Sequence, residues 1–257
     1  MNTKADLLDL SFEEIKNALA ELGYPAFRAK QVCQWLYSGE LDFTKMSNLP
    51  KEMRVDLKRH FKAGGLEIAD KLISQLDETR KYLFKLEDDN IIESVLMKYH
   101  YGYSVCLSTQ VGCRMGCTFC ASAPLGLIRN LTVGELLGQI LSISHDIGEK
   151  ISHVVLMGIG EPFDNYDNVM TFLRRLNEEE QINISYRKMT VSTCGIVPRI
   201  LDFANEGLPI NLSVSLHAPN DFVRQTTMPV AKKWKYTELL NACKEYADIT
   251  GRRVTYE

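Results

Sequence analysis

At 257 residues, 45% hydrophobic and 25% charged, the chain is long enough for one sizeable core, or for one large and one small domain. No stretch approaches the ~20 apolar residues of a membrane span, and Met1 to Leu10 lacks a basic segment leading into an apolar run, so neither a membrane protein nor a secretory leader is expected. The net charge of −3 does not mark a nucleic-acid binder. Seven cysteines, an odd number without a leader, argue for a reducing, cytoplasmic setting and against a disulfide scaffold. Clustered cysteines in such a chain read as metal-binding or catalytic.

The first 64 residues read as a helical module. Ser11-Phe12-Glu13-Glu14 is a capping box opening a helix that Gly23 closes. A second helix fits residues 26–37, with Phe27, Val32, Trp35 and Leu36 on one side. A third follows Pro50, with Met53, Leu57 and Phe61 as its core stripe, and Gly64-Gly65 ends the module. Between Arg28 and Lys62 the basic residues exceed the acids by about four. That surplus suits either a phosphate-facing patch or a solvated helix face.

From residue 65 to 100 the period changes to two. Tyr82, Phe84 and Leu86 alternate with Lys81, Leu83 and Lys85, and Ile91 to Met97 gives a further strand, so this is a β-rich connector. Glu93 within it reads as a solvent-facing strand carboxylate.

From residue 101 to 257 strands and helices alternate strictly. Strands are expected at Tyr103–Ser108, His153–Met157, Lys188–Thr193, Ile210–Leu216 and Arg252–Tyr256. Helices are expected from Thr132 to Ile147, Tyr166 to Leu176, 197 to 206 and 236 to 249. Repeated βα units demand parallel strands, with ligand sites at the strand C-termini. Several of these strands are nearly continuous apolar runs, as doubly covered strands should be. Glu257 falls inside the last expected strand, so an incomplete barrel and a C-terminally truncated chain are expected.

Past the first core strand come Cys113, Cys117 and Cys120, spaced C-x3-C-x2-C. Three thiolates on one loop can hold three corners of an iron–sulfur cube, leaving the fourth iron open, because a protein-closed [4Fe–4S] cluster needs four. Taken alone, the Cys117–Cys120 pair also suits a zinc half-site or a redox pair. Three later strand ends carry plausible ligands. Gly158-Ile159-Gly160-Glu161-Pro162 permits close backbone approach and could receive an amino group on its carbonyls, with Glu161 as a nearby acceptor. Ser192-Thr193 and Ser213-Val214-Ser215-Leu216-His217 end the next two strands.

These motifs resemble the radical S-adenosylmethionine (SAM) superfamily, through Cys113-x3-Cys117-x2-Cys120 with Phe119 before the last cysteine. The chain is most similar to the adenine-C2 RNA methyltransferases of the RlmN type, through Ser108-Thr109-Gln110-Val111-Gly112-Cys113, Arg129-Asn130-Leu131-Thr132, Met157-Gly158-Ile159-Gly160-Glu161-Pro162 and Ser215-Leu216-His217-Ala218-Pro219-Asn220. The resemblance runs from the N-terminal helices to Glu257. It implies a radical-SAM (βα)6 barrel with a [4Fe–4S] cluster on Cys113, Cys117 and Cys120, and SAM chelated to the open iron. It implies methylation of adenine C2 in 23S rRNA, and in many members of tRNA beside the anticodon, by a radical route through a methylated cysteine. Adenine C2 is too poor a nucleophile for ordinary methyl transfer.

Residue by residue, the resemblance assigns Gly160 and Glu161 to the SAM amino group, Ser192 to SAM, and Ser215, Leu216 and His217 to the adenosyl moiety. Glu93 matches a proton acceptor. Cys106 matches a cysteine that forms a transient disulfide with the methyl-carrying one, which lies near the family's C-terminus. Neither Cys194 nor Cys243 sits in that motif, so the methyl carrier and a last SAM-binding asparagine are expected beyond Glu257, and the chain as given is expected not to turn over. The implied partners are 23S rRNA, tRNA and an electron donor such as flavodoxin, with no membrane, and the chain is expected to be a monomer. The alternatives are a Cfr-type C8 methyltransferase conferring antibiotic resistance and a radical-SAM activase acting on protein; a non-enzymatic RNA-binding or zinc-structural role is the third.

Overall fold

The computed structural model describes residues 4–179 and 181–257. Residues 1–3 of the expected helical module lie outside the described residues.

The module consists of β1 (Ala5–Asp6), α1 (Phe12–Glu21), α2 (Phe27–Tyr37), α3 (Lys51–His60) and β2 (Phe61–Lys62), with β1 and β2 paired in parallel. The capping box at α1 is formed reciprocally: the Glu14 N–H donates to the Ser11 hydroxyl, and the Ser11 N–H donates to the Glu14 carboxylate at 2.7 Å. Ile15, Leu19, Val32, Leu36, Met53 and Leu57 meet in its core. One expected core residue falls outside it, and another, Phe61, packs against it from beyond the helix. Phe27 stands 58% exposed beneath the Arg28 guanidinium, 4.8 Å from its ring centroid, because it sits in the first turn of α2, ahead of the packed stripe. Phe61 leaves the α3 stripe because the chain turns extended there (φ −129°, ψ 167°) to enter β2.

β3 (Glu67–Ile73), β4 (Arg80–Lys85) and β5 (Ile91–Tyr99) form an antiparallel meander. It is followed by β6 (Gly102–Cys106), the hairpin strands β7 (Gln110–Gly112) and β8 (Leu127–Asn130), and α4 (Val133–Ile147). Then come β9 (Ile151–Leu156), α5 (Tyr166–Asn177), β10 (Met189–Thr193), α6 (Val197–Asn205), β11 (Asn211–Val214), α7 (Asp221–Thr227), α8 (Tyr236–Thr250) and β12 (Val254–Tyr256). One eight-stranded sheet runs β12-β11-β10-β9-β6-β5-β4-β3. Its β6, β9, β10, β11 and β12 are parallel, and its two edges do not pair, which makes an open, partial (βα) barrel. The meander is hydrogen-bonded to β6 and continues the same sheet. No helix among the described residues is long and apolar enough to cross a membrane.

The helices cover the parallel strands through apolar faces. Val154, Leu156, Val191, Leu212 and Val214 are buried in the strands, and Leu136, Ile140, Phe172, Leu173 and Phe203 in the helices. Thr132 and Glu135 cap α4, and Gly148 in the left-handed region ends it. β3 has no counterpart in the expected strands: it is an edge strand, mostly exposed, with a bulge between Ile68 and Asp70, so its alternation is broken.

The helical module is fastened to the sheet domain by Arg175 in the last turn of α5. This side chain is buried and donates to the carbonyls of Leu8 (2.6 Å) and Leu10 (2.5 Å) and to the Tyr37 hydroxyl (2.8 Å). Hydrogen bonds from a charged donor are worth about 1.5–3 kcal/mol each, and stranded buried acceptors add a penalty. Arg175→Met is expected to lower unfolding stability by about 3 kcal/mol in urea titration; a change within ~0.5 kcal/mol would show that apolar packing alone holds the module.

Candidate active site

The cysteine loop hangs between β7 and β8. Its base is closed by the Cys113 N–H donating to the Gly126 carbonyl at 2.8 Å. Gly112 must be glycine: it has φ +73°, and a Cβ there would lie 1.9 Å from the Gly126 oxygen. The far side is held by the Thr118 N–H donating to the Thr227 carbonyl at 2.9 Å, at the end of α7. Cys113, Cys117 and Cys120 are half-buried and free. Burial pushes the Cys113 thiol up to about 11 and the Cys117 thiol above its ordinary value. Iron binding at this loop therefore releases protons.

Beside the loop, the ends of β6 and β9 are laced together. Gly158 N–H donates to Leu107 O (3.0 Å), while Thr109 and Gln110 N–H both donate to Ile159 O (2.8 and 3.2 Å). Ile159 N–H donates to the Ser108 hydroxyl (3.0 Å), which in turn donates to Glu93 O (2.6 Å). Glu161 N–H donates to the Gln110 side-chain oxygen at 2.9 Å. A Cβ on Gly158 would meet Leu107 O at 2.6 Å, and one on Gly160 (φ +105°) would meet Gln110 N at 2.8 Å, so side chains are excluded from both. Among the described residues no protein donor reaches the Gly160 carbonyl, which remains open to a ligand.

The three cysteines, Gly160, Glu161, Ser192 and Ser215 all line one cavity of ≈ 230 Å³ at the C-terminal ends of β9, β10 and β11. The sequence singled out all seven. The others stand around it. His217 (φ +50°) packs its ring edge-on against Phe119, a cavity-lining residue, at 4.9 Å. Leu216 and His217 N–H groups donate to Glu257 O at 3.0 and 2.9 Å. Cys106, at the end of β6, takes the N–H of cavity-lining Met157 on its sulfur, and burial pushes its thiol up. Glu93 lies outside the lining, in an ion pair with Lys81 at 2.8 Å.

The Glu161 carboxylate is buried and accepts the N–H groups of Phe163 (3.0 Å) and Cys194 (2.7 Å). Burial pushes the carboxyl above the ordinary range, against the pull of those donors. The side chain so organises the turn whose Gly160 carbonyl lines the same cavity. Sequence reasoning missed Cys194 and Met228 in the lining, and gave Met157, the first residue of the glycine motif, no role of its own. None lies in a ligand-like spacing, although Cys194 follows a strand end whose serine was singled out.

The donors suit a cluster. Among the described residues no three His, Cys, Asp or Glu side chains converge as a single metal ion requires. The three thiols instead line one cavity together with Gly160, Ser192 and Ser215, a thiol-rich donor set of the kind that iron–sulfur clusters take.

Comparison with known proteins decides the family. Residues 107–256 match the model of the radical SAM superfamily, and residues 5–62 match that of the ribosomal RNA large subunit methyltransferase N-terminal domain. The chain belongs to the RlmN-type radical SAM RNA methyltransferases. It is 52% identical over 99% of its length to a probable dual-specificity RNA methyltransferase RlmN of Alkaliphilus oremlandii, covering 74% of that protein. It is 50% identical to the one of Clostridium acetobutylicum, over 98% of this chain and 73% of that protein. The crystal structure of a radical SAM methyltransferase from Sphaerobacter thermophilus superposes with a TM-score of 0.94 at 41% identity, over 98% of this chain and 75% of that one. Membership implies a [4Fe–4S] cluster and SAM. Cys106 forms no disulfide in this structure.

Gly160→Ala should displace the turn from Gln110. In the iron-reconstituted protein, SAM affinity measured by equilibrium dialysis is expected to fall by roughly tenfold or more. Wild-type affinity would mean that SAM does not use this turn.

Proposed function

We propose that this family member methylates C2 of adenine in 23S rRNA, and in tRNA beside the anticodon, by way of a methylated cysteine. The observation that carries the reading is the single cavity in which three thiols, the open Gly160 carbonyl, Ser192 and Ser215 meet, in a chain whose relatives are named dual-specificity RNA methyltransferases. When bound, the cluster would supply the one-electron reducing power that radical cleavage of SAM requires.

The chain's own residues bind and orient. Cys113, Cys117 and Cys120 hold the cluster. Gly160 receives the SAM amino group on its carbonyl, and the Ser192 and Ser215 hydroxyls face the remainder of SAM. Leu216 and His217 border the adenosyl end, with Phe119 between His217 and the cavity. Cys106 sits behind Met157 as the thiol that meets the methyl-carrying cysteine. Glu93 acts as proton acceptor: its backbone is two hydrogen bonds from the Gly158–Gly160 turn through Ser108, and its carboxylate is half-exposed.

For the RNA, α3 offers Lys51, Arg54, Lys58 and Arg59 around a surface cavity of ≈ 530 Å³, and among the described residues none of the four makes an ion pair. Cations left without carboxylate partners suit phosphates. A one-electron donor such as flavodoxin, a monomeric chain and a cytoplasmic location complete the reading.

Anaerobic reconstitution should yield broad visible absorbance and bound iron; stoichiometric zinc instead would sink the radical reading. Nucleosides from 23S rRNA and tRNA of a methylation-deficient host carrying the full-length gene should then contain 2-methyladenosine by mass spectrometry. The 8-methyl isomer would assign the C8 chemistry, and unmodified adenine in both RNAs would favour a protein substrate.

A further inference from the structure

The chain that leaves the cavity rim after β11 carries charge that the rest of the fold does not answer. From His217, which packs against cavity-lining Phe119, it passes exposed Pro219 and Asn220 into α7. The turn Pro229–Lys232 then leads to the start of α8. Lys232, Lys233 and Lys235 stand exposed in this short stretch, and among the described residues none of them makes an ion pair. The acids nearest in sequence are turned to the main chain. Asp221 accepts the Tyr236 N–H at 2.8 Å, and Glu238 accepts the Lys235 N–H at 2.7 Å.

An apolar ring stands beside the lysines. Phe222 is 81% exposed in the first turn of α7, whereas Arg224 is fully buried, because residues two apart point to opposite sides of a helix. The Asp221–Tyr236 hydrogen bond draws that turn against the start of α8, next to Lys235, so ring and lysines share one surface. Trp234 adds a second, half-buried ring with the Lys233 ammonium 4.5 Å from its centroid. This surface borders the cavity. Met228 lines the cavity itself, and the Thr227 carbonyl at the end of α7 accepts the Thr118 N–H of the cysteine loop. One exposed phenylalanine is ordinary, and a lysine run alone is a solvated face. Together they are the two components with which proteins hold single-stranded nucleic acid.

We propose, on the strength of the RNA-methylating reading above, that Phe222, Lys232, Lys233 and Lys235 form a docking surface for the single-stranded RNA that flanks the target adenine. The lysines meet phosphates, and Phe222 stacks on a base beside the target. A base held in a stack cannot reach a cavity at the strand ends, so the adenine has to be unstacked. Its neighbours then cross the rim with their faces and phosphates open to the protein. An acidic electron-donor protein would match the lysines alone; the exposed ring next to a cavity that receives a base favours RNA.

The test is filter binding of 23S rRNA and tRNA transcripts to the full-length, iron-reconstituted protein across a salt series, with thermal melting of every variant. Lys232→Gln, Lys233→Gln and Lys235→Gln combined should weaken binding roughly tenfold or more at low salt. The slope of log affinity against log salt should flatten by about 2, since each phosphate contact on a single strand contributes ~0.7. Phe222→Ala should weaken binding roughly tenfold with the slope unchanged, and Phe222→Tyr should stay within about twofold of wild type. Wild-type affinity and slope in both the lysine variant and Phe222→Ala overturn the proposal. So does a lysine variant that binds RNA normally while a flavodoxin-type donor reduces its cluster more slowly, because the surface then belongs to that donor. Wild-type protein that binds neither transcript is a different failure, that of the RNA reading itself, and it removes the surface as well.

Discussion

The structure depends on how closely the ends of β6 and β9 approach each other. Five hydrogen bonds tie Leu107–Gln110 to Gly158–Glu161, and they can form only because Gly158 and Gly160 present no Cβ to the opposing backbone. This clasp sets the direction in which the cysteine loop leaves β7, immediately after Gln110. It also turns the Gly160 carbonyl away from the protein. Three more buried polar side chains reinforce it: Gln139 from α4 bonds both the N–H and the carbonyl of Ser108, Asn165 takes Thr109 O and Leu131 O, and Gln110 reaches Asn130 and Asp164. Apart from the buried Thr109 hydroxyl, which has no partner, these polar groups are paired with one another, and such a network favours one arrangement.

The second constraint is the pair of buried polar side chains on either side of Cys194. Glu161 accepts its N–H and Arg224 donates to its carbonyl. Each is placed where regular strand pairing ends and backbone groups would otherwise be orphaned. The cavity floor is therefore built from polar groups already engaged with one another, and what stays exposed is thiol, serine hydroxyl and one glycine carbonyl. A site whose own acceptors are spent elsewhere offers an incoming ammonium few alternative poses.

Much of this was legible in the residues, and the reasons are specific. Capping signals and apolar periodicity located the helices because both are local. The βα alternation gave the parallel core because parallel strands need a crossover. The C-x3-C-x2-C spacing and the strand-end motifs converge because strand C-termini share one edge. What escaped was non-local. β3 is an exposed, bulged edge strand without alternation. Phe27 matched a helical stripe but not the one that found a partner. α7 is too short for a periodic signal, and so Arg224, Thr227 and Met228 carried no sign of their place under the loop. Glu161 lines the cavity beside the motif glycine, but nothing in the sequence tells that its carboxylate turns back to the backbone.

α5 joins the two constraints to the helical module. It starts directly after the turn of Pro162–Asn165, with Asn165 pinned to Thr109 and Leu131, and its last turn carries Arg175, which grips Leu8, Leu10 and Tyr37. Ten residues of helix span ~15 Å, and a helix fixed by hydrogen bonds at both ends behaves as a rigid strut. The module's attachment is therefore referenced to the same backbone that orients Gly160. A hydrophobic contact alone would allow the module to slide, since such contacts are not directional. The Arg175 fork admits one seating, and it converts the geometry of a strand-end clasp into the placement of a basic helical surface outside the sheet.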